Sequence, residues 1–178
     1  MKWIRLLALI VFIGCVHKDE VNTSIYDGAF ALSLPPGVKA STAPRTIYGD
    51  DILYWNIFNN EDSTIKVDVE ISKDTTPLYE ALIPYHIKGL QHFDPTMVVL
   101  NKEIRKQRGV EMLLIMYEIP LVRNLPGFIV ERRVFLTPKG RATVDVTCRF
   151  DHLERKEMCI NLVGEIGKSI NTSTNRRE

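Results

Sequence analysis

Residues 110–122, VEMLLIMYEIPLV, constrain the fold of this chain more than any other stretch. A strand sends successive side chains to opposite faces, and here Met112, Leu114 and Met116 on one face are matched by Leu113, Ile115 and Tyr117 on the other. A segment apolar on both sides has no wet face to offer. It belongs inside a sheet that other layers cover from above and below. A chain of 178 residues is long enough for one domain with a core of its own. The expected class is therefore α+β, an antiparallel β-sheet flanked by helices.

The neighbouring segments supply those parts. Arg108-Gly109 is hairpin chemistry joining residues 98–107 to the apolar strand. A loop over residues 123–127 leads to a strand at 128–137, the turn Pro138-Lys139-Gly140 and a strand at 141–150. Upstream, residues 28–34 alternate Phe30, Leu32 and Leu34 and stop at Pro35-Pro36-Gly37, since proline cannot extend a ladder. Residues 52–58 form a second run. In residues 64–73, Ile65, Val67, Val69 and Ile71 face away from Lys66, Asp68 and Glu70, the period of a half-buried strand. These three runs predict a meander.

Two helices are expected. Thr76-Pro77 reads as a cap and first helical position, with Leu78, Leu82, Tyr85 and Leu90 on the packed face, a kink at Pro84 and an end at Asp94-Pro95. The last helix is expected to start on a capping box, Asp151 with Glu154, and to carry an apolar stripe of Cys159, Leu162, Val163, Ile166 and Ile170.

The amino end has a different logic. Lys2 and Arg5 precede an apolar run, residues 6–13, and Gly14 stands directly before Cys15. This is the layout of an export signal, and it resembles the lipobox of bacterial lipoproteins, in which cleavage before the cysteine leaves it to receive the lipid. The run is about half of the roughly 20 apolar residues that a bilayer span needs. An ordinary cleaved signal, an uncleaved anchor and a buried amino-terminal helix are the other readings. The expected organisation is a signal peptide at 1–14, a lipidated tether at 15–27 beginning with Cys15, a single α+β domain at 28–171 and a polar tail at 172–178. Val16 takes the place of the aspartate that marks inner-membrane retention, so the resemblance implies anchoring in the outer membrane, facing the periplasm.

Export bears on Cys148 and Cys159, the two cysteines left when Cys15 is lipidated. In an oxidising compartment an even pair forms a disulfide, and two buried free thiols are the alternative. In register, Cys148 shares the core side of its strand with Ala142, Val144 and Val146, and Cys159 lies on the buried stripe of the last helix. A bond between them pins that helix to the sheet.

The inventory for chemistry is short. Removing residues 1–14 leaves 21 of the 23 basic side chains against 22 acidic ones, no basis for wrapping nucleic acid. His86 and His92 stand six apart, on opposite sides of a helix, which does not suit one metal. His152 follows Asp151 but has no nucleophile in a strained turn to serve. The acidic pairs Asp50-Asp51 and Glu61-Asp62 lack the further ligands of a calcium loop, and neither zinc spacing nor a phosphate-binding loop occurs. No catalytic residue, metal or cofactor is expected. Arg132 and Arg133 interrupt an apolar strand, so whichever faces inward needs an acidic partner. Arg132 is the candidate ligand-binding arginine, with a paired structural arginine as the default.

The strand ending Phe30-Ala-Leu-Ser-Leu-Pro-Pro-Gly37, the inserted helix near residues 77–93, four further strands and a terminal helix ending Ile166-Gly-Lys-Ser-Ile170 together resemble the PsbP-like fold, which includes the DcrB-like bacterial lipoproteins. That resemblance implies an α/β/α sandwich and a non-catalytic accessory or binding role, chaperoning in some relatives. The expected function is a membrane-tethered envelope lipoprotein that binds a protein partner in an accessory, chaperone-like or immunity-type role. A binder of a small apolar ligand between sheet and helix, suggested by Pro84, Met97, Met112 and Met116, is the alternative. A hydrolase is the third.

Overall fold

The computed structural model describes residues 21–42, 50–123 and 125–172. Its strands in chain order are β1 (Val21–Ile25), β2 (Phe30–Leu34), β3 (Lys39–Ala40), β4 (Ile52–Asn59), β5 (Ile65–Ser72), β6 (Val98–Gln107), β7 (Val110–Ile119), β8 (Gly127–Thr137) and β9 (Gly140–Phe150), with helices α1 (Leu82–Phe93) and α2 (Lys156–Ser169). Seven strands form one antiparallel sheet in the order β3-β4-β5-β9-β8-β7-β6. The doubly apolar β7 lies inside it, one strand from the edge. Met112, Leu113, Leu114 and Ile115 are all buried, so both faces are covered there.

One face carries the larger core. Val67, Val69, Ile71, Phe135, Ala142, Val144 and Val146 point to α2, whose Cys159, Val163 and Ile166 meet them, and to a separate two-stranded sheet, β1-β2, which adds Ile25, Phe30, Leu32 and Leu34. Each such side chain contributes about 1.5–3 kcal/mol by leaving water. Cys148 and Cys159 are joined by a disulfide on this face, with Cα atoms 5.3 Å apart. The other face carries α1, whose Leu90 packs with Met97, Leu113, Ile115, Val130 and Val134. Among the described residues no helix is long and apolar enough to cross a membrane.

Several expectations require correction. The tether expected at 15–27 runs into the fold: residues 21–25 are β1, paired with β2 from Val21↔Leu34 to Ile25↔Phe30, and their polar composition reflects an edge strand with one wet side. The domain therefore begins by residue 21 rather than 28. β2 pairs with β1 instead of joining a meander with β4 and β5. The first helix starts at Leu82, not at Thr76, whose N–H donates to Asp74 in a local turn and whose carbonyl accepts from Arg141. Pro84 then falls in the first turn, where its missing N–H breaks no helical bond, and no kink is required. Asp151 does not cap α2: a short 3₁₀ turn, Leu153–Arg155, intervenes, and the Asp151 carboxylate accepts from Arg149 instead. At the other end Asn171 bridges Ala31, and Thr172, placed in the tail, is buried.

Candidate functional surface

Arg132 and Arg133 are consecutive in β8, so they leave the sheet on opposite sides. Arg133 enters the α2 face and is 1% exposed. Its Nε donates to Glu131 Oε1 at 2.5 Å and its Nη1 to Gln107 Oε1 at 2.7 Å. Gln107 Nε2 in turn donates to the Lys168 and Ile170 carbonyls at 3.0 and 3.2 Å, satisfying acceptors at the end of α2. A Cβ at Gly167 would collide with both Glu131 and Arg133, so the helix can lie this close only with glycine there. Burial lowers the Arg133 pKa, with Glu131 opposing it. This pair anchors a helix. Nothing from outside can reach it.

Arg132 emerges on the α1 face, where it forms a two-point pair with Asp145 of β9, Nε to Oδ1 at 2.8 Å and Nη2 to Oδ2 at 2.6 Å, with about a fifth of each side chain exposed. Burial works against the Arg132 charge, but Asp145 more than offsets it and the pKa is raised. Here α1 covers only the part of the sheet formed by β6, β7 and β8. On this face β9, β5 and β4 lie beside α1 rather than under it and present mostly polar side chains, together with Ile57 and Trp55 of β4. Asp68 stands directly opposite Asp145 and Ile57, and Trp55 opposite Glu70, while at the end of β9 Arg141 is bridged to Asp74 and Thr76. Trp55 Nε1 donates to Asp68 Oδ1 at 2.6 Å, and Lys66 lies 3.2 Å from the same carboxylate. Burial, then Asp68, raises the Glu70 pKa.

Two hollows meet at the Arg132–Asp145 pair. One, of about 540 Å³, lies between Arg132 and the outer side of α1, bounded by Tyr85, His86, Gly89 and Phe93. The other, of about 350 Å³, lies over Lys66, Asp68, Phe128 and Asp145, with Tyr117 in its wall, and burial raises the Tyr117 pKa to about 12. The result is a trough with a polar strand floor and a helical wall. The wall is aromatic at its rim: Tyr85 is 74% and Phe93 87% exposed. The inner His86 is half-buried, and burial, then Arg132 and Arg141, lowers its pKa.

The arrangement suits recognition by shape, stacking and paired charge. Among the described residues no group of three or more His, Cys, Asp or Glu side chains can hold a metal ion. His86 and His92 are not on opposite sides of α1, since both border the hollow beside Arg132, and His152 caps only the 3₁₀ turn by its backbone. The methionines expected to line one ligand cavity divide between the two faces, Met97 beside α1 and Met112 and Met116 beside α2. The expectation that Tyr85 lies on the packed side of α1 fails because Tyr85 stands five residues before Leu90, about 140° away around the helix. The packed side is Leu82, Ile83, Ile87 and Leu90. The sequence did not single out Phe93 or Trp55. The signal available was the polar alternation in β5 and β9, but only their pairing shows that these polar faces are one surface. Cys15 lies outside the described residues.

No family model matches this chain, and no curated protein matches it significantly. The likeness that exists is to solved structures. The Saccharomyces cerevisiae Ran-binding protein Mog1p is similar with a TM-score of 0.57 at 11% identity, covering 87% of this chain and 96% of Mog1p. A point mutant of protein Mog1 is similar with a TM-score of 0.55 at 12% identity, covering 86% of this chain and 96% of that one. At this identity the likeness is one of fold: a mostly antiparallel sheet with two helices, an α+β architecture shared with Mog1 over nearly the whole described chain.

Proposed function

We propose that this protein is a non-catalytic, lipid-anchored component of the bacterial cell envelope that binds a protein partner through the trough between α1 and the open part of its sheet. The observation that carries this reading is the exposure of Tyr85 and Phe93 on a helix whose other side is packed, next to a polar floor that the chain leaves open among its described residues. Large exposed aromatic side chains beside a partly desolvated arginine are the composition of interaction hot spots. Mog1p, with the same fold, is named for binding a protein, Ran, which favours a binding role over an enzymatic one here.

The anchor is the part of the reading supported by sequence: Lys2 and Arg5, the apolar run at 6–13, Gly14 and Cys15. With cleavage before Cys15 and acylation of its sulfur, buried methylenes at about 0.8 kcal/mol each hold the domain at the membrane. β1 then begins six residues after the lipid, so the tether spans at most about 20 Å. The PsbP-like and DcrB-like resemblance supports reading the protein as an accessory lipoprotein, and Val16 favours the outer membrane. The test is affinity purification of the full-length protein from detergent-solubilised envelope, alongside the variants Phe93→Ser and Tyr85→Ser and radiolabelled palmitate incorporation. A reproducible partner lost in both variants is expected, with label lost in Cys15→Ser. Absence of any partner in the wild type would overturn the binding role, and unlabelled wild type would overturn the anchor.

A further inference from the structure

Tyr85, Gly89 and Phe93 are spaced four apart on α1 and form one row along its outward side, all three exposed. Gly89 is unexplained by the fold. A Cβ there would meet nothing within 4 Å, yet glycine inside a helix costs about 1 kcal/mol relative to alanine. The row is thus ring, notch, ring, with the rings roughly 12 Å apart along the axis. Each ring is braced edge-on by the adjacent histidine, Tyr85 by His86 and Phe93 by His92, with centroids 5.9 and 5.8 Å apart. A row of this kind is what a second helix packs across, and a missing side chain at the crossing lets two axes approach to the short end of the usual 8–10 Å.

Charge indicates the occupant. The titratable side chains bounding the notch are Tyr85, His86, Lys88, His92 and Arg132, with no carboxylate among them; Arg132 is neutralised by Asp145, so the uncompensated positive charge is that of Lys88. Asp145 is committed to Arg132, and Asp94, at the end of α1, accepts from Thr96. A second copy of this chain seated about this notch would bring Lys88 against its own kind with no carboxylate to offset it. We infer that the outward side of α1 seats an α-helix of the partner protein, crossing at Gly89 and carrying carboxylates beside its contact face. This rests on the proposal that the protein binds a protein partner, and it names which part of the surface does so and what it recognises.

The test uses two fluorescently labelled synthetic helices of about 20 residues, identical in their alanine and leucine contact face and differing only in glutamate or lysine beside it, titrated with detergent-solubilised full-length protein. The glutamate helix is expected to bind at least about tenfold more tightly than the lysine helix. Gly89→Leu should abolish that binding, while Gly89→Ala raises the thermal midpoint of the free protein and weakens binding. Equal binding of both helices, unimpaired binding by Gly89→Leu, or sedimentation as a dimer that Gly89→Leu dissociates would each overturn the inference. If Gly89→Leu still retains a co-purified envelope protein, the helix seat is wrong and the binding function stands. If the wild type binds neither helix nor envelope protein, both fail.

Discussion

Two arginines that are neighbours in the chain end in opposite circumstances. Arg133 is sealed under α2 with Glu131, while Arg132 stands with Asp145 on the floor of an open trough. Both obey the rule that an inward guanidinium needs a carboxylate. The difference lies in what covers them. On the α2 face, a helix, a hairpin and a disulfide close the layer, and the ion pair serves to position the helix end through Gln107. On the α1 face one helix covers part of the sheet, and the ion pair remains within reach of another molecule. One side of the sheet holds the domain together, and the other is available for recognition.

The contrast makes graded predictions. The largest effect belongs to the sealed pair. Glu131→Ala leaves Arg133 charged and without its partner, at about 3–5 kcal/mol, a large share of an ordinary domain's stability. Denaturant unfolding should show it. Replacing both residues, Glu131→Leu with Arg133→Met, should recover most of the loss, since two apolar side chains leave no buried charge. If the double variant is as unstable as the single one, the pair does more than anchor.

Next is the disulfide. Cys148→Ala with Cys159→Ala should cost about 2–5 kcal/mol, read as a lower unfolding midpoint that no longer responds to reductant. Arg132→Ala is expected to cost only about 1 kcal/mol, or a few degrees in Tm, because its pair is partly solvated. Its larger effect should be on partner retention. A loss of stability matching Glu131→Ala would erase the distinction between the faces.

The smallest effects are in pH. His86 is held below its ordinary 6.5, so its protonation is disfavoured in the folded state; the stability it contributes is present above 6.5 and lost as pH falls through the lowered value. His86→Gln should flatten the acid limb of a Tm-against-pH curve. Glu70 has the opposite sign. Its carboxyl is raised above 4.5, so stability is full below 4.5 and declines as pH rises through the raised value. Glu70→Gln should therefore raise neutral-pH stability, by about a few tenths of a kcal/mol.

How far the sequence reveals this depends on the range of the interaction. The two-faced apolarity of β7, the alternation of β5 and the Arg108-Gly109 turn, whose residues both take positive φ, are local patterns and were legible as such. The position of β1 was not, because an edge strand with residues as polar as Asn22, Thr23 and Ser24 differs from a tether only through its partner β2. The start of α1 was misplaced because Thr76-Pro77 has cap chemistry that the chain uses for a turn instead. The trough was the least legible part. Its floor joins residues far apart in sequence, Asp68 with Asp145 and Trp55 with Glu70, which only strand pairing brings together.

The most direct measurement is a photocrosslinking scan in intact cells, with a photoreactive residue placed singly at positions 85 and 93 on α1 and at 158 and 162 on α2. Crosslinks to one and the same protein from both α1 positions, and none from α2, are the predicted result. Crosslinks from α2 alone would place recognition on the sealed side and contradict the division of labour between the two faces.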